Sequence, residues 1–104
     1  MDNFKIIYKI LKLLESAMDY DEFDRSQLSP ELLGVSENRL NAILKMLQDE
    51  GYVSGVLYVK GLSGVKLDKY FGITLKGLEY LEENTAMKKV AGLLKGIKET
   101  VPGL

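Results

Sequence analysis

The stretch Ser36–Tyr52, SENRLNAILKMLQDEGY, decides how the chain folds. Ser36 is a residue type whose hydroxyl accepts a hydrogen bond from the free N–H groups that open a helix, and Gly51 is one that ends a helix. Between them Leu40, Ile43, Leu44 and Leu47 recur at three- and four-residue spacing, which makes one face of a helix over 36–50 apolar. Glu37, Asn38, Asn41, Ala42, Lys45 and Gln48 then face outward, with Arg39 near the edge. Just upstream, Ser29-Pro30-Glu31-Leu32-Leu33-Gly34 has its own cap, a proline where the first turn tolerates it and a glycine exit. That predicts a short helix over 29–34. Two helices joined by a tight turn, the second opening with polar side chains, form a helix-turn-helix.

Outward from this pair, residues 3–18 place Phe4, Ile7, Tyr8, Leu11 and Leu14 on one stripe, with Lys5, Lys9, Lys12 and Glu15 largely opposite. The spacing predicts an amphipathic helix capped by Asp2 or Asn3. The acidic run Asp19-Tyr20-Asp21-Glu22-Phe23-Asp24 ends it, and Phe23 and Leu28 anchor a short extended segment over 23–28. After Gly51 the period changes. Tyr52–Val59 is rich in β-branched and aromatic residues and reads as a strand, Gly61–Gly64 as a turn, and Val65–Thr74 as a returning strand interrupted near Asp68 or Gly72. The aromatics Tyr52, Tyr58, Tyr70, Phe71 and Tyr80 fit a packed face of this hairpin better than a platform for unpaired bases.

Thr74 caps a helix over 75–84 with Leu75, Leu78 and Leu81 inward, which Asn84 closes in a left-handed conformation. Thr85 caps a last helix over 86–98, whose stripe is Ala86, Val90, Leu93, Leu94 and Ile97. The predicted fold is α+β and mainly α: a winged helix-turn-helix with an extra C-terminal amphipathic helix. Residues 1–84 form the winged-helix domain. Residues 85–104 form a helix and tail packed on that domain or on a dimer partner.

The chain has 104 residues, 46% of them hydrophobic and 28% charged, which suits one soluble domain. It contains neither histidine nor cysteine. Thiolate nucleophiles, imidazole acid–base chemistry and the usual zinc sites are therefore excluded. The acidic run lacks the glycine and the distant glutamate of a calcium loop, and nothing resembles a phosphate-binding glycine loop. The expectation is a protein without catalytic activity, metal or cofactor. No apolar run is long enough to span a bilayer, and residues 1–18 are too charged for a signal peptide. A cytoplasmic protein with no membrane partner is expected.

The net charge of −1 conceals segregation. Residues 19–33 carry Asp19, Asp21, Glu22, Asp24 and Glu31 against Arg25 alone, while residues 85–104 carry Lys88, Lys89, Lys95 and Lys98 against Glu99. If the second helix of the pair enters a major groove, its first turns supply Ser36, Asn38, Arg39, Asn41, Ala42 and Lys45 to double-stranded DNA. Asparagine suits adenine, arginine suits guanine, and an alanine methyl suits the thymine methyl. Lys60, Lys66 and Lys69 on the hairpin would meet phosphates, although lysines on edge strands also serve to prevent strand-to-strand association. Val90, Leu93, Leu94 and Ile97 are the candidate residues for a homodimer contact.

Two stretches, LSPELLGVSENRLNAILKMLQDEGYVSG and FGITLKGLEYLEEN, resemble the YjcQ-like proteins of Firmicute bacteria and their prophages, a group of small winged-helix proteins. The specific parts are the Gly51-Tyr52 exit and Ile73-Thr74-Leu75-Lys76-Gly77 after the wing, and the resemblance covers roughly residues 3–84. It implies a fold and a bacterial or phage setting. The expected function is that of a small DNA-binding protein of the phage- or prophage-type transcriptional regulators. The competing expectation, favoured by the absence of a basic excess, is a winged-helix module for protein–protein contact without DNA binding.

Overall fold

The computed structural model describes residues 2–58 and 64–84. Helices α1 (Asn3–Ala17), α2 (Pro30–Leu33) and α3 (Glu37–Asp49) precede two strands, β1 (Val53–Tyr58) and β2 (Val65–Ile73). A further helix, α4, occupies 75–84 of the described residues. The architecture is α+β and mainly helical, with one antiparallel two-stranded sheet. The segment expected to be extended over 23–28 is instead a 3₁₀ turn at Arg25–Leu28. Asp24 explains the difference, because its carboxylate accepts from both the backbone N–H and the hydroxyl of Ser26 and so starts a turn.

The helix boundaries follow from side-chain capping. Asp2 accepts from Phe4 N–H at 2.9 Å, while Ser29 and Ser36 accept from Leu32 N–H and Arg39 N–H at 3.1 Å each. Gly34 and Gly51 end α2 and α3 with φ of 71° and 83°. Asn84 does not adopt the left-handed conformation expected of it. It is helical, and its side chain donates to Tyr80 O at 2.8 Å.

The core draws Leu40, Ile43, Leu44 and Leu47 from α3, as the spacing predicts, against Leu33, Val53, Val56, Phe71 and Leu81. From α1 it takes Ile6, Ile10, Leu11 and Leu14. Phe4, expected on that stripe, is 68% exposed, while Ile7 and Tyr8 are half-buried. Apolar residues surround much of α1, so its sequence defines a helix without defining which side is buried. Leu75 likewise points outward, because it opens the first turn of α4 before that helix reaches the core at Leu81.

One junction ties the two halves of the fold together. The N–H of Thr74 donates to Tyr52 O, its hydroxyl donates to Gly51 O, and that hydroxyl also accepts from Gly77 N–H at 3.1 Å. The Lys76 ammonium donates to Glu50 O at 2.9 Å. The carbonyls left open at the end of α3 are thus satisfied by the start of α4. Gly77 is required here by close approach, since a Cβ on it would lie 2.3 Å from Tyr52 O. The two short motifs, Gly51-Tyr52 and Ile73–Gly77, are the two sides of this single contact.

Strand β2 runs without a break in hydrogen-bonded conformation, but its register slips where an interruption was expected. Ser54 pairs with Gly72 and Val56 with Leu67, so Gly55 alone faces residues 68–71. The bulge needs glycine at 55, where φ is +90° and a Cβ would lie 2.6 Å from Phe71 Cα. Of the aromatics, Phe71 is buried against Phe23 at 5.8 Å and Tyr52 packs on Tyr80 at 5.2 Å. Tyr58 and Tyr70 lie on the outer surface.

Candidate nucleic-acid interface

The nine residues proposed for DNA contact separate into three groups. Asn38, Arg39 and Ala42 are exposed on the first turns of α3, and among the described residues the side chains of Asn38 and Arg39 make no hydrogen bond or ion pair. Three others are already engaged. The Ser36 hydroxyl is the helix cap. Asn41 is half-buried beside the hairpin, where a Cβ on Gly64 would sit 3.0 Å from its Nδ2. The Lys45 ammonium bonds the Asp49 carboxylate at 3.1 Å and lies 5.2 Å from the centre of the Tyr58 ring. The Asp49 hydrogen bond raises the Lys45 pKa and favours its charged form.

The hairpin lysines form the third group. Lys66 is exposed opposite Leu57 in the ladder, while its neighbours Val65 and Leu67 turn toward α3. Lys69 sits apart from them on the bulge, 5.1 Å from the Tyr70 ring centre and beside Asp21 and Glu22. Lys60 lies outside the described residues, as do Val90, Leu93, Leu94 and Ile97 and the helix expected over 86–98. A cleft of about 360 Å³ separates α3 from β2, and its walls include Arg25, Glu31, Glu37 and Asn41. Acidic side chains therefore flank the opening of α3.

Gln48 was expected to face solvent and does not. Its amide nitrogen donates to Val56 O, and its oxygen accepts from Val56 N–H. One side chain thereby pairs both backbone groups of a strand residue beside the bulge and holds β1 to α3. No local signal marks Gln48 for this, because the partner backbone arrives only when the hairpin folds back.

These features define a small, mainly helical domain in which a hairpin is braced against the side of α3, whose first turns expose polar side chains. No helix of the described residues is long and apolar enough to cross a membrane. The sequence profile of the YjcQ protein family matches residues 8–100, and the chain belongs to that family. Comparison with curated proteins and with solved structures finds no match.

Proposed function

We propose that this protein is a winged-helix protein that binds duplex DNA, a small transcriptional regulator of phage or prophage type with no catalytic activity of its own. The observation that carries this reading is the seating of the hairpin at Gly64 against Asn41, next to the polar side chains of Asn38 and Arg39, which are unpaired among the described residues. In that arrangement the first turns of α3 enter a major groove while the hairpin follows the adjacent backbone. Arg39 and Asn38 reach base edges, Ala42 offers a methyl to thymine, and Lys66 and Lys60 meet phosphates. Asn41 positions the hairpin. Lys45, held by Asp49, and Lys69, beside the acidic run, are left out of the contact set.

Fluorescence binding to random duplex DNA over a salt series tests this directly. Lys66→Ala should weaken binding to every sequence and reduce the salt slope by about one unit. Arg39→Ala should cost about 1–3 kcal/mol on a selected site and little on random DNA. Absence of binding at about 50 mM salt would remove the DNA reading. The second reading, a protein-interaction module on the same scaffold, draws on Glu31 and Glu37, whose carboxylates flank the start of α3 where phosphates would pass.

A further inference from the structure

Two apolar concavities among the described residues carry opposite charge. The first is a groove of about 470 Å³ between α1 and α2, where Tyr8, Leu13 and Leu32 are rimmed by Lys9 and Lys12. The second lies at the other side of the C-terminal end of α1. There Met18, Tyr20 and Tyr70 are 61%, 73% and 74% exposed and share a concavity of about 200 Å³. Around it Asp19, Asp21, Glu22 and Asp24 are all exposed. The nearby cations are fewer than these four carboxylates: the Arg25 guanidinium donates to Asp68 O at 2.9 Å, and Lys69 lies over Tyr70. No group of these carboxylates is placed to hold a metal ion among the described residues. An aromatic patch inside an acidic rim requires an apolar segment with a basic rim.

The chain contains such a segment. Residues 86–98 combine the apolar positions Ala86, Val90, Leu93, Leu94 and Ile97 with Lys88, Lys89, Lys95 and Lys98 and no acidic residue. The groove, where Lys12 is paired with Glu15 and Lys9 adds a positive charge, has no acidic rim to draw it, and the acidic patch attracts it. Tethering by only a few residues after Asn84 gives an effective concentration on the order of millimolar, which favours the segment of the same molecule over that of another.

We propose that residues 86–98 cover the Met18–Tyr20–Tyr70 patch of their own chain, apolar stripe inward, with the lysines against the acidic run 19–24. This contact involves neither Asn38 nor Arg39 and does not rest on DNA binding.

Zero-length carbodiimide crosslinking of the full chain tests it, using an equal mixture of unlabelled and isotope-labelled protein. The expected result is links from Asp19, Asp21 or Glu22 to Lys88, Lys89, Lys95 or Lys98 within molecules of one isotope. Links that join light to heavy molecules in the proportion of random pairing would overturn the proposal in favour of a dimer. Absence of links to the acidic run would overturn it outright. The chain has no tryptophan, so Tyr70→Trp supplies a single emission reporter on the patch. Its emission should shift to longer wavelength when Leu93→Asp and Leu94→Asp are added, and an unchanged spectrum would contradict the contact. If Tyr70→Trp disturbs folding, the crosslinking on the unaltered chain still decides.

Discussion

The two ends of α3 are built in opposite ways. At its C-terminal end, Gln48 holds Val56, Lys76 holds Glu50 O, Thr74 holds Gly51 O, and Tyr52 N–H returns to Leu47 O at 2.8 Å. At its N-terminal end the Ser36 hydroxyl caps the helix, and Asn38, Arg39 and Ala42 project outward. The same helix is thus anchored by one end and presented by the other. Stability resides where polar groups are satisfied internally, and recognition requires polar groups left open to a partner. A substitution should therefore have very different consequences according to which end it touches.

The largest effect is expected at the anchored end. Gly77→Ala places a methyl 2.3 Å from Tyr52 O, and both backbones at that junction are fixed by hydrogen bonds. The junction must open, and destabilisation of about 3 kcal/mol or more is expected from a thermal or urea melt, the upper part of the range for overpacking. A melt unchanged from the parent would show that the junction between α3 and α4 is loose.

Gln48 comes next. Gln48→Ala leaves the N–H and carbonyl of Val56 without their side-chain partner, with an expected cost of about 1–3 kcal/mol. Gln48→Glu sharpens the test. A carboxylate can accept from the N–H but cannot donate to the carbonyl, so it should recover little of the loss at neutral pH. Full stability in the Glu variant would mean that the donor half of the bridge contributes nothing.

At the presented end the expectation reverses. Asn38→Ala and Arg39→Ala should each alter stability by no more than about 0.5 kcal/mol, because neither side chain is buried or bonded among the described residues. Their effect should appear only in binding. A collapse of the fold in either variant would erase the contrast between the two ends.

This contrast also separates what sequence could show from what it could not. The helix pair was legible because caps, glycine exits and apolar spacing are local: Ser29, Ser36, Gly34, Gly51 and the stripe Leu40–Leu47 all act as expected. The bulge was partly legible, because an interruption near Asp68 or Gly72 was expected and the register slips opposite 68–71. Asn41, Lys45 and Gln48 look alike in sequence as polar residues on the outer face of α3. Their fates differ because the hairpin approaches that face obliquely, touching Asn41 at Gly64, Lys45 at Tyr58 and Gln48 at Val56. Long-range placement of a second element is not encoded in the periodicity of the first. The exposure of Phe4 and Leu75 has the same origin: each lies in the first turn of its helix, where packing rather than pattern decides.

The smallest effect concerns alkaline pH and belongs to the anchored end. Tyr80 packs on Tyr52 beside the junction, and burial pushes its phenol above the ordinary tyrosine value, with the charges of Tyr52 and Asp2 adding to the shift. The folded state therefore binds the Tyr80 proton more tightly than the unfolded chain does. The resulting stabilisation is fully present below the unfolded tyrosine pKa of about 10 and is lost as pH rises through the folded value. Lys45 has the same sign, since Asp49 raises its pKa, but its exposed position makes it a minor contributor. Melting temperature measured from about pH 8 to about pH 11 should fall more steeply for the parent than for Tyr80→Phe, which has no phenol to ionise there. The difference between the two curves should open only above about pH 9.5, as the unfolded chain begins to lose the proton. Parallel curves across the whole range would mean that Tyr80 ionises as readily in the fold as out of it.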